Sequence, residues 1–190
     1  MNQNYIENET FKGVNFVKNS LFKGEYECCT FNNCAFSNVN ISGFQFVECE
    51  FYDCNFSSAN LYETLFQDAL FQNCKMLGLQ FEDCNSFGFA VILNDCQLNH
   101  SSFYEVKLNK TKFKNCKLQE VDFTASDLTE ASFDNCDFLK ATFKNTIIER
   151  ADFRSSYNYE INLEQNRVKG AKFSLKDVVG LLSQYQIKID

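Results

Sequence analysis

Ten cysteines and a single histidine are the side chains of this 190-residue sequence best suited to ligate a metal, carry redox chemistry or serve as nucleophiles. Cys29 and Cys34, and again Cys49 and Cys54, are separated by four residues, within the range of zinc-site spacings. No CxxC and no nearby histidine accompanies either pair. His100 is not part of any Ser-His or Cys-His pairing that the sequence suggests, and it falls where an outward, solvated side chain is expected. No glycine-rich phosphate loop of either common pattern is present. The sequence therefore offers no catalytic constellation, no metal site and no cofactor site.

The cysteines follow a different rule, set by the elements that hold them. From Phe11 to Phe81 every fifth residue is large and apolar, fifteen in succession. The period resumes at Leu93 and runs to Phe153; Asn158 breaks it, and Leu163, Val168 and Phe173 complete it. Eighteen of the 22 phenylalanines fall in this one pattern. Small or medium residues stand two positions earlier, and nine of the ten cysteines are among them, Cys28 being the exception. Cysteines placed by a packing period act as small hydrophobes, and buried thiols are inert.

A period of five fits neither a helix nor an alternating strand, and self-similarity at a fixed spacing is the mark of a repeat architecture. The absence of proline and tryptophan beside so many phenylalanines agrees, because one residue class is being chosen repeatedly for one kind of site. The formal charge of -7 argues against a general nucleic-acid binder, which needs a basic patch for phosphates. The first residues lack the basic start and apolar run of a signal peptide, and no stretch is apolar for the length a bilayer requires. A cytoplasmic protein with reduced thiols is expected.

Ala59-Asn60-Leu61-Tyr62-Glu63 and Ala151-Asp152-Phe153-Arg154-Ser155 match the unit A(D/N)LXX, and the sequence from about residue 9 to 173 resembles the pentapeptide-repeat family. The resemblance implies an all-β solenoid, a right-handed quadrilateral β-helix in which four units make one square coil and residues 20 apart lie one above another. About eight coils at ~4.8 Å each would form a rod. Cys74-Lys75-Met76-Leu77-Gly78, Ala171-Lys172-Phe173-Ser174-Leu175 and Asn158-Tyr159 are similar to the albicidin-immunity branch, which sharpens the likeness toward the topoisomerase-protecting Qnr and MfpA types.

Two breaks divide the sequence. Residues 1–84 and 93–173 are read as two runs of coils, and 85–92 as a bulge or kink that adds two residues to the register, either packed around Gly88 or protruding as a functional loop. From Ser174 the apolar spacing turns helical, with Ser174 and Asp177 placed as a capping box, so residues 174–190 are read as a short amphipathic helix and tail. Leu175, Val178, Val179, Leu182, Tyr185, Ile187 and Ile189 are the apolar residues to be covered there. The family resemblance implies that they form a two-fold homodimer.

With catalysis set aside, function falls to the surface. Residues 1–84 hold 11 acidic and 4 basic side chains, whereas residues 85–190 hold 14 of each. Stacking at 20-residue intervals places Glu48 against Asp68 and Glu63 against Asp83, like signs that cost stability and make a negative stripe. Farther on, Lys110, Glu130 and Arg150 alternate in sign, as do Glu120, Lys140 and Glu160. An acidic rod can mimic DNA, and the resemblance implies a partner in DNA gyrase or topoisomerase IV, protected from quinolones or related toxins. Unlike the MfpA type, the neutral half would here lie at the dimer centre. A general protein-interaction scaffold with no topoisomerase partner is the alternative.

Overall fold

A chain that turns a corner after every five residues must place one residue per unit in the left-handed region, where asparagine, aspartate and glycine are the usual occupants. The computed structural model, which describes residues 4–188, has such a residue at most of its corners. Asn33, Asp53, Asn73, Asp95 and Asn115 form one corner column, with φ between 50° and 55°.

Between corners the chain is extended, and it pairs in parallel with the coils before and after it. Four strands make the first face: β1 (Asn4–Glu7), β3 (Gly24–Glu27), β5 (Gln45–Val47) and β7 (Leu65–Gln67). The next face is a seven-stranded ladder of β2 (Thr10–Lys12), β4 (Thr30–Asn32), β6 (Glu50–Tyr52), β8 (Ala69–Gln72), β9 (Val91–Asn94), β10 (Lys112–Lys114) and β11 (Ser132–Asp134). The remaining two faces are joined by single bridges such as Asn55↔Lys75 and Asp122↔Thr142. The ladder has seven strands, where the family resemblance implies about eight coils; beyond β11 the face continues as the bridges Ser132↔Asp152 and Asp152↔Lys172.

Inside, the period becomes stacked rings. Phe31 lies on Phe51 and Phe36 on Phe56, with centroids 4.9 and 4.3 Å apart and planes within 13° and 5° of parallel. Neighbours on adjoining faces, such as Phe51 and Phe56, meet at 82° because the chain has turned a corner between them. Both arrangements are favoured by the ring quadrupole.

The residues two before each centre are equally buried. Cys34, Cys54, Cys74, Cys96, Cys116 and Cys136 form an unbroken column, each no more than 2% exposed. Each thiol donates to a carbonyl of the coil before it, as Cys54 Sγ does to Phe31 O at 3.3 Å. Ser156 ends the column and donates to Phe133 O at 2.9 Å. Thr64 and Thr146 occupy equivalent positions on another face and make the same kind of bond at 2.8 Å.

The two added residues are absorbed before β9. Ala69 pairs with Val91, 22 residues on, where Glu50 pairs with Leu70 at the regular 20. A 3-10 turn at Phe81–Asp83 and a left-handed Gly88 (φ +69°) take up the slack. Phe89 packs edge-on to Phe81, while Phe87 projects into solvent at 81% exposure. This turn also lifts Cys84 partly out of the core, so eight of the nine aligned cysteines are buried and Cys84 is not.

The last coil departs further from the period. Tyr159 replaces Asn158 as the inward residue, packing against Phe153 and Phe173. Ile161 is buried, whereas Leu163, expected inside, is 37% exposed. The C-terminal segment is not the expected α-helix but two 3-10 turns, Val178–Leu181 and Ser183–Tyr185. Half of the expected capping box forms: the Asp177 amide donates to Ser174 Oγ at 3.1 Å, while the Asp177 carboxylate accepts from the Ser174 hydroxyl at 2.9 Å. What prevents a regular helix is contact with the coil below, since Gly180 O accepts from the Ile161 amide at 3.1 Å. A Cβ at Gly180 would lie 1.8 Å from Tyr159 O, so only glycine permits this approach. Among the described residues no helix is long and apolar enough to cross a membrane.

Candidate partner-binding surface

A carboxylate at a corner of the solenoid is thrust into solvent and lies directly against the corner residues of adjacent coils. Glu48 (φ 50°) and Asp68 (φ 52°) follow one another on the corner between β5/β7 and the seven-stranded ladder. Cys28 precedes them, and by the 22-residue register of β9 on β8 Ala90 follows. Glu63 (φ 55°) stands at the other border of the four-stranded face, and its amide donates to Asp83 O at 2.8 Å. Asp83 sits in the 3-10 turn rather than in a left-handed corner, yet that bond keeps it against Glu63. The four acids thus flank the four-stranded face on both sides.

The cost of this arrangement is physical. A glutamate in the left-handed region is less favourable than asparagine or glycine by about 1 kcal/mol, and like charges on adjacent coils repel. Neutral donors relieve the region only in part: Asn73 Nδ2 donates to Asp53 at 2.6 Å, and Tyr52 Oη donates to Glu50 at 3.0 Å. Partial desolvation, then the Glu48 and Glu27 carboxylates, holds the Cys28 thiol above its ordinary pKa. Its sulfur lies 3.8 Å from Glu48 Oε2.

Every ion pair among the described residues lies between His100 and Lys172. Glu130 bridges Lys110 at 3.9 Å and Arg150 at 2.8 Å on the corner column that continues from Glu48 and Asp68. One column therefore changes between Asp68 and Lys110 from unpaired acid to alternating charge. On another corner Glu120 meets His100 at 3.3 Å and Lys140 at 3.8 Å, whereas Glu160 joins no ion pair there. Arg154 grips Asp152 at 2.7 Å and holds its carboxyl below the usual aspartate range, with Lys172 adding to the effect.

The C-terminal residues divide differently from the sequence reading. Leu175, Val179, Tyr185 and Ile187 are exposed, Leu175 by 90%, while Val178 and Leu182 are half-buried. Leu181, not Leu182, is the residue pressed onto the last coil, because the 3-10 geometry rotates the apolar face. Ile189 lies outside the described residues. No group of three or more His, Cys, Asp or Glu side chains among the described residues is arranged to hold a metal.

A parallel β-solenoid with a stacked aromatic core and an asymmetrically charged outside is a repeat scaffold. The chain belongs to the pentapeptide-repeat family: the model for a pentapeptide repeat region matches residues 24–88 and 89–153. Its structure is similar to that of a trypsin-treated form of QnrB1, a plasmid-mediated fluoroquinolone resistance protein, at 17% identity and a TM-score of 0.59. That match covers 98% of this chain and 92% of the other. It is also similar to HetL, a pentapeptide repeat protein involved in heterocyst differentiation regulation from the cyanobacterium Nostoc, at 15% identity and a TM-score of 0.67. Here the coverage is 92% and 86%. No curated protein matches the sequence.

Proposed function

We propose that this protein is a non-enzymatic DNA mimic that binds a type II topoisomerase, gyrase or topoisomerase IV, and protects it from quinolones or related toxins. The observation that carries the reading is the four-stranded face bordered by Glu48, Asp68, Glu63 and Asp83, acids that stay unpaired while the second half neutralises its own charges. A surface that retains like charges at a cost in stability is suited to a basic partner. Ten free cysteines fit a reducing compartment.

The exposed Leu175, Val179 and Ile187 support a homodimer through the C-terminal turns. An isologous contact would cover them twice over. Replacing Val179 with aspartate is then expected to produce monomers at this end.

A supercoiling assay with a fluoroquinolone, run with and without the purified protein on gyrase and topoisomerase IV, tests the reading. Rescue of either enzyme supports it. Neither rescue nor inhibition of either enzyme rejects it in favour of a scaffold with another partner.

A further inference from the structure

One coil carries charge of a single sign. Residues 106–119 hold Lys107, Lys110, Lys112, Lys114 and Lys117 and no acid, a net of +5 in a chain whose formal charge is -7. All five are exposed. Their spacing follows from the repeat. Lys112 and Lys114 flank the inward Phe113 on β10, Lys107 and Lys117 precede the inward Leu108 and Leu118, and Lys110 occupies a left-handed corner (φ 61°). The lysines form a belt one coil high, running from before the corner at Lys110 to beyond the next at Asn115.

The register sets acids against this belt on the following coil. The backbone of Lys107 bridges to that of Asp127, Lys114 to Asp134 and Lys117 to Asp137, while Lys112 meets Ser132. Yet among the described residues only Lys110 joins an ion pair, with Glu130. Neutral donors occupy the other acids. Asp127 accepts from the Thr129 hydroxyl at 2.6 Å and amide at 3.0 Å, and Asp134 from Ser155 Oγ at 3.0 Å. Asp137 accepts from Gln119 Nε2 and Asn158 Nδ2, both at 2.7 Å. Four of the five ammonium groups are thereby left available to an outside anion.

On its other side the belt meets an apolar step. Lys112 stands beside Ile92 and Lys114 beside Asn94 on β9, and Ile92 is 42% exposed. Ala90 and Ile92 lie between the coil of Asp68 and that of the lysines, and with Lys107, Lys110 and Lys112 they line a cleft of 240 Å³.

Dimensions select the occupant. The belt is about 4.8 Å high, with Asp127, Glu130, Asp134 and Asp137 on the coil beyond it and Asp68 two coils before. A duplex, whose major groove alone is about 12 Å wide, or an anionic membrane would press phosphates onto those acids as well as onto the lysines. An extended acidic segment laid along the coil would not. Its alternate side chains repeat at about 6.6 Å, the spacing of Lys112 and Lys114 on their strand, and an apolar side chain between its carboxylates can enter the cleft beside Ile92.

We propose that the coil of residues 106–119 is a docking strip for an extended acidic segment of a partner protein, which sets carboxylates on Lys107, Lys112, Lys114 and Lys117 and an apolar side chain beside Ile92. The strip attracts charge of the opposite sign to that drawn by the acidic face, and it stands independently of the topoisomerase reading.

Fluorescence anisotropy of the full chain with a labelled peptide Asp-Glu-Leu-Glu-Asp-Glu-Leu-Glu, too short to hold a helix, tests the strip. Saturable binding at low ionic strength is expected, weakening as salt is added. Lys112→Gln with Lys114→Gln should weaken it by roughly tenfold or more, whereas Lys144→Gln with Lys169→Gln, the same charge change at exposed lysines on other coils, should alter it by no more than about twofold. Ile92→Ser should weaken it severalfold. No saturable binding overturns the proposal, as does equal loss in the two double variants or indifference to Ile92→Ser. Tighter binding of a short DNA duplex or of phosphatidylserine vesicles than of the peptide overturns it as well.

Discussion

Phe51 lies flat on Phe71, their centroids 4.8 Å apart and their planes 10° from parallel, although twenty residues separate them in sequence. The same relationship repeats at most places where phenylalanines follow at that interval, Phe16 and Phe36 being tilted by 34°, so each ring is held by its neighbours along the column. Phe123, fully buried between Phe103 at 5.4 Å and Phe143 at 5.3 Å, is a fair test. Phe123→Ala should lower stability by about 3–5 kcal/mol in urea unfolding, and Cys116→Ala by no more than about 1–2 kcal/mol.

The thiols provide a check on which way the residues face. In the native protein Cys28 should be the first to react with a thiol reagent, slowly because partial desolvation and then its neighbouring carboxylates disfavour the thiolate, and Cys84, whose thiolate is disfavoured by desolvation, the second. The eight buried cysteines should react only on unfolding. Rapid labelling of more than two thiols in the folded state would contradict the inward column.

Asp68→Lys, placing a cation beside Glu48, should change two properties in opposite directions. Stability should rise by up to about 1 kcal/mol at low ionic strength, an effect that fades as salt is added. Topoisomerase rescue should fall, and reversing Glu48, Glu63 and Asp83 as well should abolish it. Undiminished rescue by the fourfold variant would remove this face from the account.

Acid unfolding should report the Arg154–Asp152 pair. The folded pKa of Asp152 lies below its ordinary 3.8. The stabilisation is therefore complete above that value and lost as the pH falls through the lower, folded one. Arg154→Ala should lower stability near neutrality, with the difference vanishing once the pH has fallen below the folded pKa of Asp152. A difference that stayed constant down to full protonation would assign the effect to packing.

Gly180→Ala probes the C-terminal cap. The added methyl would meet Tyr159 O, so the turns must lift, at a cost of about 1–3 kcal/mol. Faster proteolysis after residue 174 is expected, with little change in the strands. Unaltered protection would show that the cap tolerates the shift.

The coil was legible in the sequence because a solenoid packs each residue against its own repeat. A period of five with apolar centres marks the repeat, and the family it resembles implies four faces, inward columns and 20-residue stacking; from these followed the buried cysteines, the outward His100 and the like-charged corners at Glu48 and Asp68. The tertiary structure decided what happens where a segment meets something other than its repeat. Leu163 faces out while Tyr159 and Ile161 face in, since the last coil must accommodate the segment folded over it. The Ser174–Asp177 cap was readable, yet the helix it announced gave way to 3-10 turns because Gly180 docks on the Tyr159 backbone, a contact between residues that share no spacing rule.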